Sequence, residues 1–276
     1  MSTRKFFASF ACALLSCALL AGCAGQAPEP ADAPRGDAPS QDRPVTVSLS
    51  SLTGPLVPGR ETTLALHFRL AEGWHLYWDG QNDTGFPPSF EPELLDGWME
   101  GPIDWPAPER YPMPGDMLDH VYHHELILYR TVTPPADLAV GGKVTIPVET
   151  AWLACKEACV PGDADLKVEL PVVEAGRVTR PVLPARTRPL PPGRLVNRLQ
   201  DDLLELTFSG ARKLTFFPAA DGRALVSPLE DGERDGEVLR LRLDEDPEGG
   251  TPLRGILSVT DGTGGVLAYT VDLPLN

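Results

Sequence analysis

The sequence predicts an all-β protein, a β-sandwich followed by a second, smaller β domain. Three observations point there. Apolar residues recur at every second position in short runs, as in Val144, Ile146 and Val148 with Lys143, Thr145 and Glu149 interleaved; that is the period of a half-buried strand. Turn signals separate such runs at close intervals, among them Asp79-Gly80, Thr84-Gly85, Pro87-Pro88 and Asp96-Gly97. Between residues 46 and 175 nothing reads as a long amphipathic helix, and short strands joined by Gly/Pro turns are the pattern of a sandwich.

The 276 residues allow more than one hydrophobic core. The chain begins with an export signal, residues 1–22. Arg4 and Lys5 precede an apolar run from Phe6 to Ala21, shorter than the roughly 20 apolar residues a spanning helix needs. It ends in Leu20-Ala21-Gly22-Cys23, which resembles the lipobox of bacterial lipoproteins. That likeness implies cleavage before Cys23 and attachment of lipid to it. An ordinary signal peptide is the plainer alternative, but it leaves the coincidence of small residues with Cys23 unexplained. Residues 23–45 are rich in Ala, Pro, Asp and Gln without apolar periodicity, and read as a flexible tether.

The first domain is expected over residues 46–175. Leu64, Leu66, Phe68 and Leu70 alternate with Ala65, His67 and Arg69. Ala71-Glu72-Gly73 makes a turn, and Trp74 to Trp78 returns as an aromatic strand. Leu126 to Tyr129 is a further short strand. Residues 176–194 mix Arg with Pro and read as a linker. Strand patterns resume over 195–276, in Leu204, Leu206 and Phe208, in Leu239, Leu241 and Leu243, in Leu257 and Val259, and from Val266 to Val271. This second β domain carries no reactive motif.

The stretch with chemistry is Trp152-Leu153-Ala154-Cys155-Lys156-Glu157-Ala158-Cys159-Val160-Pro161. Strand-like alternation runs in from Val144 and out through Leu166, Val168 and Leu170. A three-residue connection then places Cys155 and Cys159 opposite each other, at about 4.5–5.5 Å between Cα atoms, a separation a disulfide tolerates. A single helical turn would also join positions i and i+4, but the strand pattern favours the hairpin. Cys12 and Cys17 leave with the signal and Cys23 takes lipid, so the mature body holds one thiol pair in a compartment where disulfides persist. Lys156 favours a thiolate there and Glu157 opposes it.

Without Arg4 and Lys5, 22 basic residues face 39 acidic ones, a formal charge of −17. That disfavours nucleic acid and anionic lipid as partners. No Ser/His/Asp set, phosphate loop or nucleotide fingerprint occurs, and no cofactor is expected.

Four motifs occur in order: Gly73-Trp74-His75-Leu76-Tyr77-Trp78; Asp83-Thr84-Gly85-Phe86-Pro87-Pro88; residues 101–110 around Trp105-Pro106-Ala107-Pro108; and Trp152 to Cys155 with Cys159-Val160-Pro161. Together they resemble the N-terminal periplasmic domain of the DsbD family of thiol:disulfide interchange proteins, including its ScsB-like branch. The resemblance covers about residues 46–172 and implies an immunoglobulin-like sandwich. It implies that Cys155 and Cys159 are the exchange pair, fed by a thioredoxin-like or CcdA/DsbD-type donor. The acceptors would be periplasmic disulfide-containing proteins, such as a cytochrome maturation factor, a disulfide isomerase or a peroxide-handling enzyme. Longer members continue into a transmembrane and a thioredoxin-like domain for which this sequence shows no counterpart, so an external donor is expected. The family also shields its pair with a loop; the matching stretch is about Asp116 to His124, with Asp119, His120 and Tyr122 as cap residues.

The reading is therefore a lipid-anchored relay module facing the periplasm, placed at the outer rather than the inner membrane. Two alternatives stay open. One is a non-enzymatic scaffold whose disulfide is a structural staple. The other is a copper or zinc protein in which His120, His123 and His124 join the thiolates. The histidine spacing matches no compact metal motif, and no metal ligand is assigned.

Overall fold

The computed structural model describes residues 39–176, 187–246 and 249–275. The expected signal peptide, Cys23 and most of the tether lie outside the described residues, as does the part of the linker from 177 to 186.

Among the described residues, ten strands build the first half: β1 (Val45–Ser51), β2 (Thr62–Leu70), β3 (His75–Tyr77), β4 (Glu91–Pro92), β5 (Met99–Asp104), β6 (Glu109–Met113), β7 (Met117–His123), β8 (Glu125–Thr133), β9 (Lys143–Cys155) and β10 (Cys159–Pro171). The second half holds β11 (Arg188–Pro189), β12 (Leu195–Gln200), β13 (Leu203–Phe208), β14 (Ala211–Pro218), the helical turn α1 (Pro228–Asp231), β15 (Glu233–Asp235), β16 (Val238–Arg242), β17 (Leu253–Asp261) and β18 (Val266–Leu273). Arg188 and Pro189, inside the stretch read as linker, pair with β18.

The first half is an immunoglobulin-like sandwich. One sheet runs β1-β2-β8-β5 and the other β10-β9-β3-β7-β6, with β4 on β9. Alternation fills the space between them. Leu64, Leu66 and Phe68 of β2 and Leu126 and Leu128 of β8 face Leu76 of β3 and Ile146, Val148, Trp152 and Ala154 of β9. Each buried side chain of the larger kinds contributes about 1.5–3 kcal/mol. Phe68 meets Trp152 edge-on across the sheets, with ring centroids 5.6 Å apart. Opposite Trp152 on β10 stands Gly162, where a Cβ would lie 2.6 Å from the indole. Only glycine lets the ring rest there.

One expectation is corrected. β2 does not form a hairpin with the aromatic strand that follows it. β2 pairs with β1 and β8, while β3 crosses to the other sheet and pairs with β7 and β9. The turn at Ala71–Gly73 is a crossing between layers, with Gly73 at a φ of +83°.

The second half is the smaller β domain, with sheets β11-β18-β17-β14-β15 and β12-β13-β16 around Leu204, Leu206, Leu214, Phe216, Leu241 and Leu257. It joins the sandwich through a packed seam. Phe217 and Ile256 belong to the sandwich core, and Phe217 packs on Trp78 and His120 at 6.2 and 5.4 Å between ring centroids. Gln81 donates from its backbone to Pro218 O at 2.9 Å, and Arg110 Nη2 donates to Leu229 O at 2.7 Å.

A second correction concerns Asp116–His124, expected as a shielding loop. Met117–His123 is strand β7, held between β3 and β6, and Asp119 and His120 are 0 and 1 % exposed. Asp119 and His120 thus lie inside the fold, whereas Asp116 and His124 are exposed. His120 lies at the seam, where Nδ1 donates to Gln81 O at 2.7 Å, a carbonyl being able only to accept. Its Nε2 is buried without a hydrogen-bond partner among the described residues. Burial lowers its pKa from 6.5 to about 4, with a smaller push from Arg110 and partial opposition from the Gln81 bond and from Asp119 and Asp83. Between those two pH values the unfolded chain binds the proton and the native protein does not, so stability falls as pH drops through that window. The loss is up to about 3 kcal/mol. Urea unfolding at intervals from pH 7 to 4 measures it, and His120→Gln should flatten that part of the curve.

Candidate functional site

The disulfide sits where β9 turns into β10. The two strands pair without a break from Lys143↔Pro171 to Cys155↔Cys159. Lys156-Glu157-Ala158 closes the turn, with Lys156 N donating to Ala158 O at 3.2 Å. Cys155 and Cys159 are bonded, with Cα atoms 4.1 Å apart. The hairpin is as the alternation predicted.

Strand pairing then decides what stands beside the sulfurs. His75 of β3 is opposite Cys155 and also opposite His123 of β7. Cys159, Cys155, His75 and His123 therefore form one row across four adjacent strands, on one face of the sheet. Two residues further on, the same face carries Leu153, Tyr77 and Val121. Cys155, Tyr77 and Val121 make a small buried cluster, flanked by Leu153 and Tyr111. The opposite face, with Trp152, Ala154, Leu76 and Tyr122, belongs to the main core. The pair is thus mounted on the outer face of the sandwich.

The two cysteines are not equivalent. Cys155 is 3 % exposed, whereas Cys159 and its neighbours Ala158 and Val160 are open to solvent. Over Cys155 lies a group of rings: His75 is 4.9 Å from Tyr111, 5.3 Å from Tyr77 and 5.7 Å from His123 between centroids. His75 is itself 3 % exposed, and neither ring nitrogen has a hydrogen-bond partner among the described residues. Burial lowers its pKa, His123 lowers it further, and Asp119 acts in the opposite sense. Lys156, expected to favour a thiolate, is exposed, and its ammonium donates to Gln41 Oε1 at 3.4 Å.

The Asp83-Thr84-Gly85 motif covers this face beyond the disulfide. Asp119 accepts from Thr84 N at 2.9 Å and from Thr84 Oγ1 at 2.5 Å. Asp83 accepts from Leu118 N at 2.6 Å, and Asn82 Oδ1 from His120 N at 2.7 Å. Gly85, at a φ of +60°, lies so close that a Cβ would stand 2.2 Å from the Tyr77 ring. The segment after β3 is thereby fastened to β7 and holds Tyr77 against Val121.

Of the residues expected to cap the pair, only Asp119 is on the disulfide's face, and it acts by holding Thr84. His120 faces the seam. Tyr122 faces the core, 5 % exposed, donating to Pro106 O at 2.8 Å and stacked on Trp105. The reason is parity: alternate residues of a strand face opposite ways. The same parity separates His120 from His123, so the histidines considered as metal ligands do not converge, and no group of three or more His, Cys, Asp and Glu among the described residues is arranged to hold a metal. His75, Tyr77, Tyr111 and Thr84 were missed as neighbours of the pair. The alternation through Trp74–Trp78 does separate His75 and Tyr77 from Leu76, but nothing local shows that β9 lies alongside.

Removing the Asp119 carboxylate strands two donors of Thr84. Asp119→Ala should cost about 1–3 kcal/mol in urea unfolding, and should speed amide exchange at Thr84 and Gly85 more than in β9 or β10.

Comparison with known proteins bears on this site. Residues 50–171 match the family described as thiol:disulfide interchange protein DsbD, N-terminal. Among solved structures, the N-terminal periplasmic domain of ScsB from Proteus mirabilis superposes with a TM-score of 0.52 at 14 % identity, covering 86 % of this chain and 96 % of that one. The DsbD N-terminal domain of Neisseria meningitidis in its reduced form aligns at 18 % identity with a TM-score of 0.30, covering 44 % of this chain and 82 % of that one. A comparison with curated protein sequences returns no significant match. The stretch from residue 50 to 171, with the Cys155–Cys159 disulfide at its β9–β10 turn, is a DsbD-like N-terminal domain.

Proposed function

We propose that the chain is a lipid-anchored periplasmic electron relay in which Cys159 makes the intermolecular bond and Cys155 resolves it. The observation that carries this is the asymmetry of the pair: one sulfur-bearing residue open to solvent, its partner closed beneath a group of rings. Thiol–disulfide exchange needs in-line access to the sulfur attacked, and access exists at Cys159. A reduced thioredoxin-like or CcdA/DsbD-type donor attacks Cys159 and releases Cys155, then resolves the mixed disulfide with its own second thiol. The resulting dithiol reduces a disulfide in a periplasmic acceptor by the same steps in reverse.

The alternative of a structural staple fits less well. The hairpin is held by an unbroken ladder of backbone pairs from Lys143 to Cys155 and by Trp152 over Gly162. Cross-linking a loop this short adds only about 2 kcal/mol in the chain-entropy estimate. A bond that the fold hardly needs is free to open and close.

Trapping in cells tests the relay. Cys155→Ser leaves the exposed thiol and should accumulate mixed disulfides with envelope proteins, while Cys159→Ser should accumulate several-fold fewer. The reading fails if neither variant cross-links and the unaltered pair stays oxidised throughout growth.

The anchor rests on Leu20-Ala21-Gly22-Cys23, and no helix among the described residues is long and apolar enough to cross a membrane. Several acyl chains on one residue hold a protein at a bilayer firmly. Labelled palmitate should enter the protein, and Cys23→Ser should abolish the label and move the protein from the membrane to the soluble fraction. A Cys23→Ser protein that stays lipid-labelled would place the anchor elsewhere.

A further inference from the structure

We propose that His75 is the proton acceptor and donor for the Cys155 sulfur, a role that rests on the exchange reading of the pair. The geometry is the cross-strand placement of His75 directly opposite Cys155, on the same face, with both residues 3 % exposed. The His75 ring is buried with neither nitrogen hydrogen-bonded among the described residues. Such a group ordinarily finds a partner, and a Cys155 thiol freed by opening of the disulfide would bring a donor to the position opposite it.

The need is chemical. When Cys159 has attacked an acceptor disulfide, a Cys159–acceptor bond has formed and the acceptor's other sulfur has left as a thiolate. Cys155 is then a closed-in thiol. Burial disfavours its anion, so its attack needs a base alongside to take the proton. His75 takes that proton, and the Cys155 sulfur attacks Cys159. The Cys155–Cys159 bond forms, the Cys159–acceptor bond breaks, and the acceptor sulfur departs as a thiolate. Two electrons have passed to the acceptor, and the imidazolium returns its proton to solvent. In the reverse direction the same ring protonates Cys155 as it is released.

The surroundings keep the ring in the form a base requires. His75 is held neutral by burial and by His123, against Asp119. Tyr77 of β3 and Tyr111 of β6 pack on it with their rings. Asp119 of β7 is tied to Thr84. Glu109 of β6 and, in the β9–β10 turn, Lys156 and Glu157 are exposed, with Lys156 directed to Gln41.

Oxidised glutathione separates the two steps. Mixed-disulfide formation is read with Cys155→Ser, where Cys159 reacts alone. Resolution is read by preparing the Cys159–glutathione adduct of the otherwise unaltered protein in acid, raising the pH and following glutathione release. With His75→Gln, resolution at neutral pH should slow roughly 100-fold, the usual scale of general-base assistance, while formation changes by less than about twofold. The pH profile is the readout that a structural role would not move. Release from the unaltered protein should stay level above about pH 7, and that of His75→Gln should rise about tenfold per unit up to and beyond the ordinary thiol pKa of about 8.5. Equal slowing of both steps, or an unchanged profile, overturns the proposal and leaves the exchange reading standing. If His75→Gln does not fold, the unaltered protein decides alone: a tenfold rise per pH unit above neutrality means Cys155 ionises unaided. If no adduct forms with Cys159 at all, the exchange reading itself falls, and the role of His75 with it.

Discussion

The ladder between Lys143–Cys155 and Cys159–Pro171 is the constraint on which the rest of the site depends. It holds both cysteines at its end and sets which face they occupy. Because side chains alternate, the register that puts Trp152 and Ala154 into the core also puts Cys155 and Leu153 on the outer face. A slip of one residue would bury the disulfide in the sandwich and expose the indole. Trp152 against Gly162, and the edge-on contact of Trp152 with Phe68, resist that slip. The packing that stabilises the sandwich is thus also what presents the sulfurs outward.

The same alternation divides β7 into two sets of residues with different work. Asp119, Val121 and His123 look toward the disulfide's side; His120 and Tyr122 look toward the core and the seam. At the seam, a buried neutral His120 packs against Phe217 and Trp78, and Arg110 and Gln81 bond to backbone carbonyls of the second β domain. These contacts brace β7 and the segment after β3 from behind. On the front, Asp83, Thr84 and Asp119 fasten that segment to β7. The rings over Cys155 are held from both sides, while Cys159 is open to solvent. A closed Cys155 beside an accessible Cys159 suits the proposed relay, in which docking would supply the selectivity.

Much of this was legible in the residues alone. The period-2 runs announced strands, and the three-residue spacing between two such runs placed Cys155 opposite Cys159. Four motifs in order pointed to the family that the comparison with residues 50–171 bears out. Where the reading failed, a local signal was asked to answer a non-local question. Asp119 and His120 looked like part of a loop because their polarity was visible and their partners were not. Those partners, Thr84, Gln81 and Asn82, lie more than 30 residues away in sequence. The aromatic strand after Gly73 looked like the return of a hairpin, since a turn between two strand patterns carries no mark of crossing to the other sheet.

By itself, the sequence determined the strand class and the pairing of the two cysteines. Each follows from alternation and spacing over a dozen residues, which are local properties. Only the tertiary structure decided that β3 and not another strand lies beside β9, and hence that His75 is the neighbour of Cys155. It also decided that Cys155 is closed and Cys159 open. Neighbours in a sheet are chosen by how whole layers pack, and exposure by what those layers leave uncovered. Neither quantity is written in any single stretch of chain.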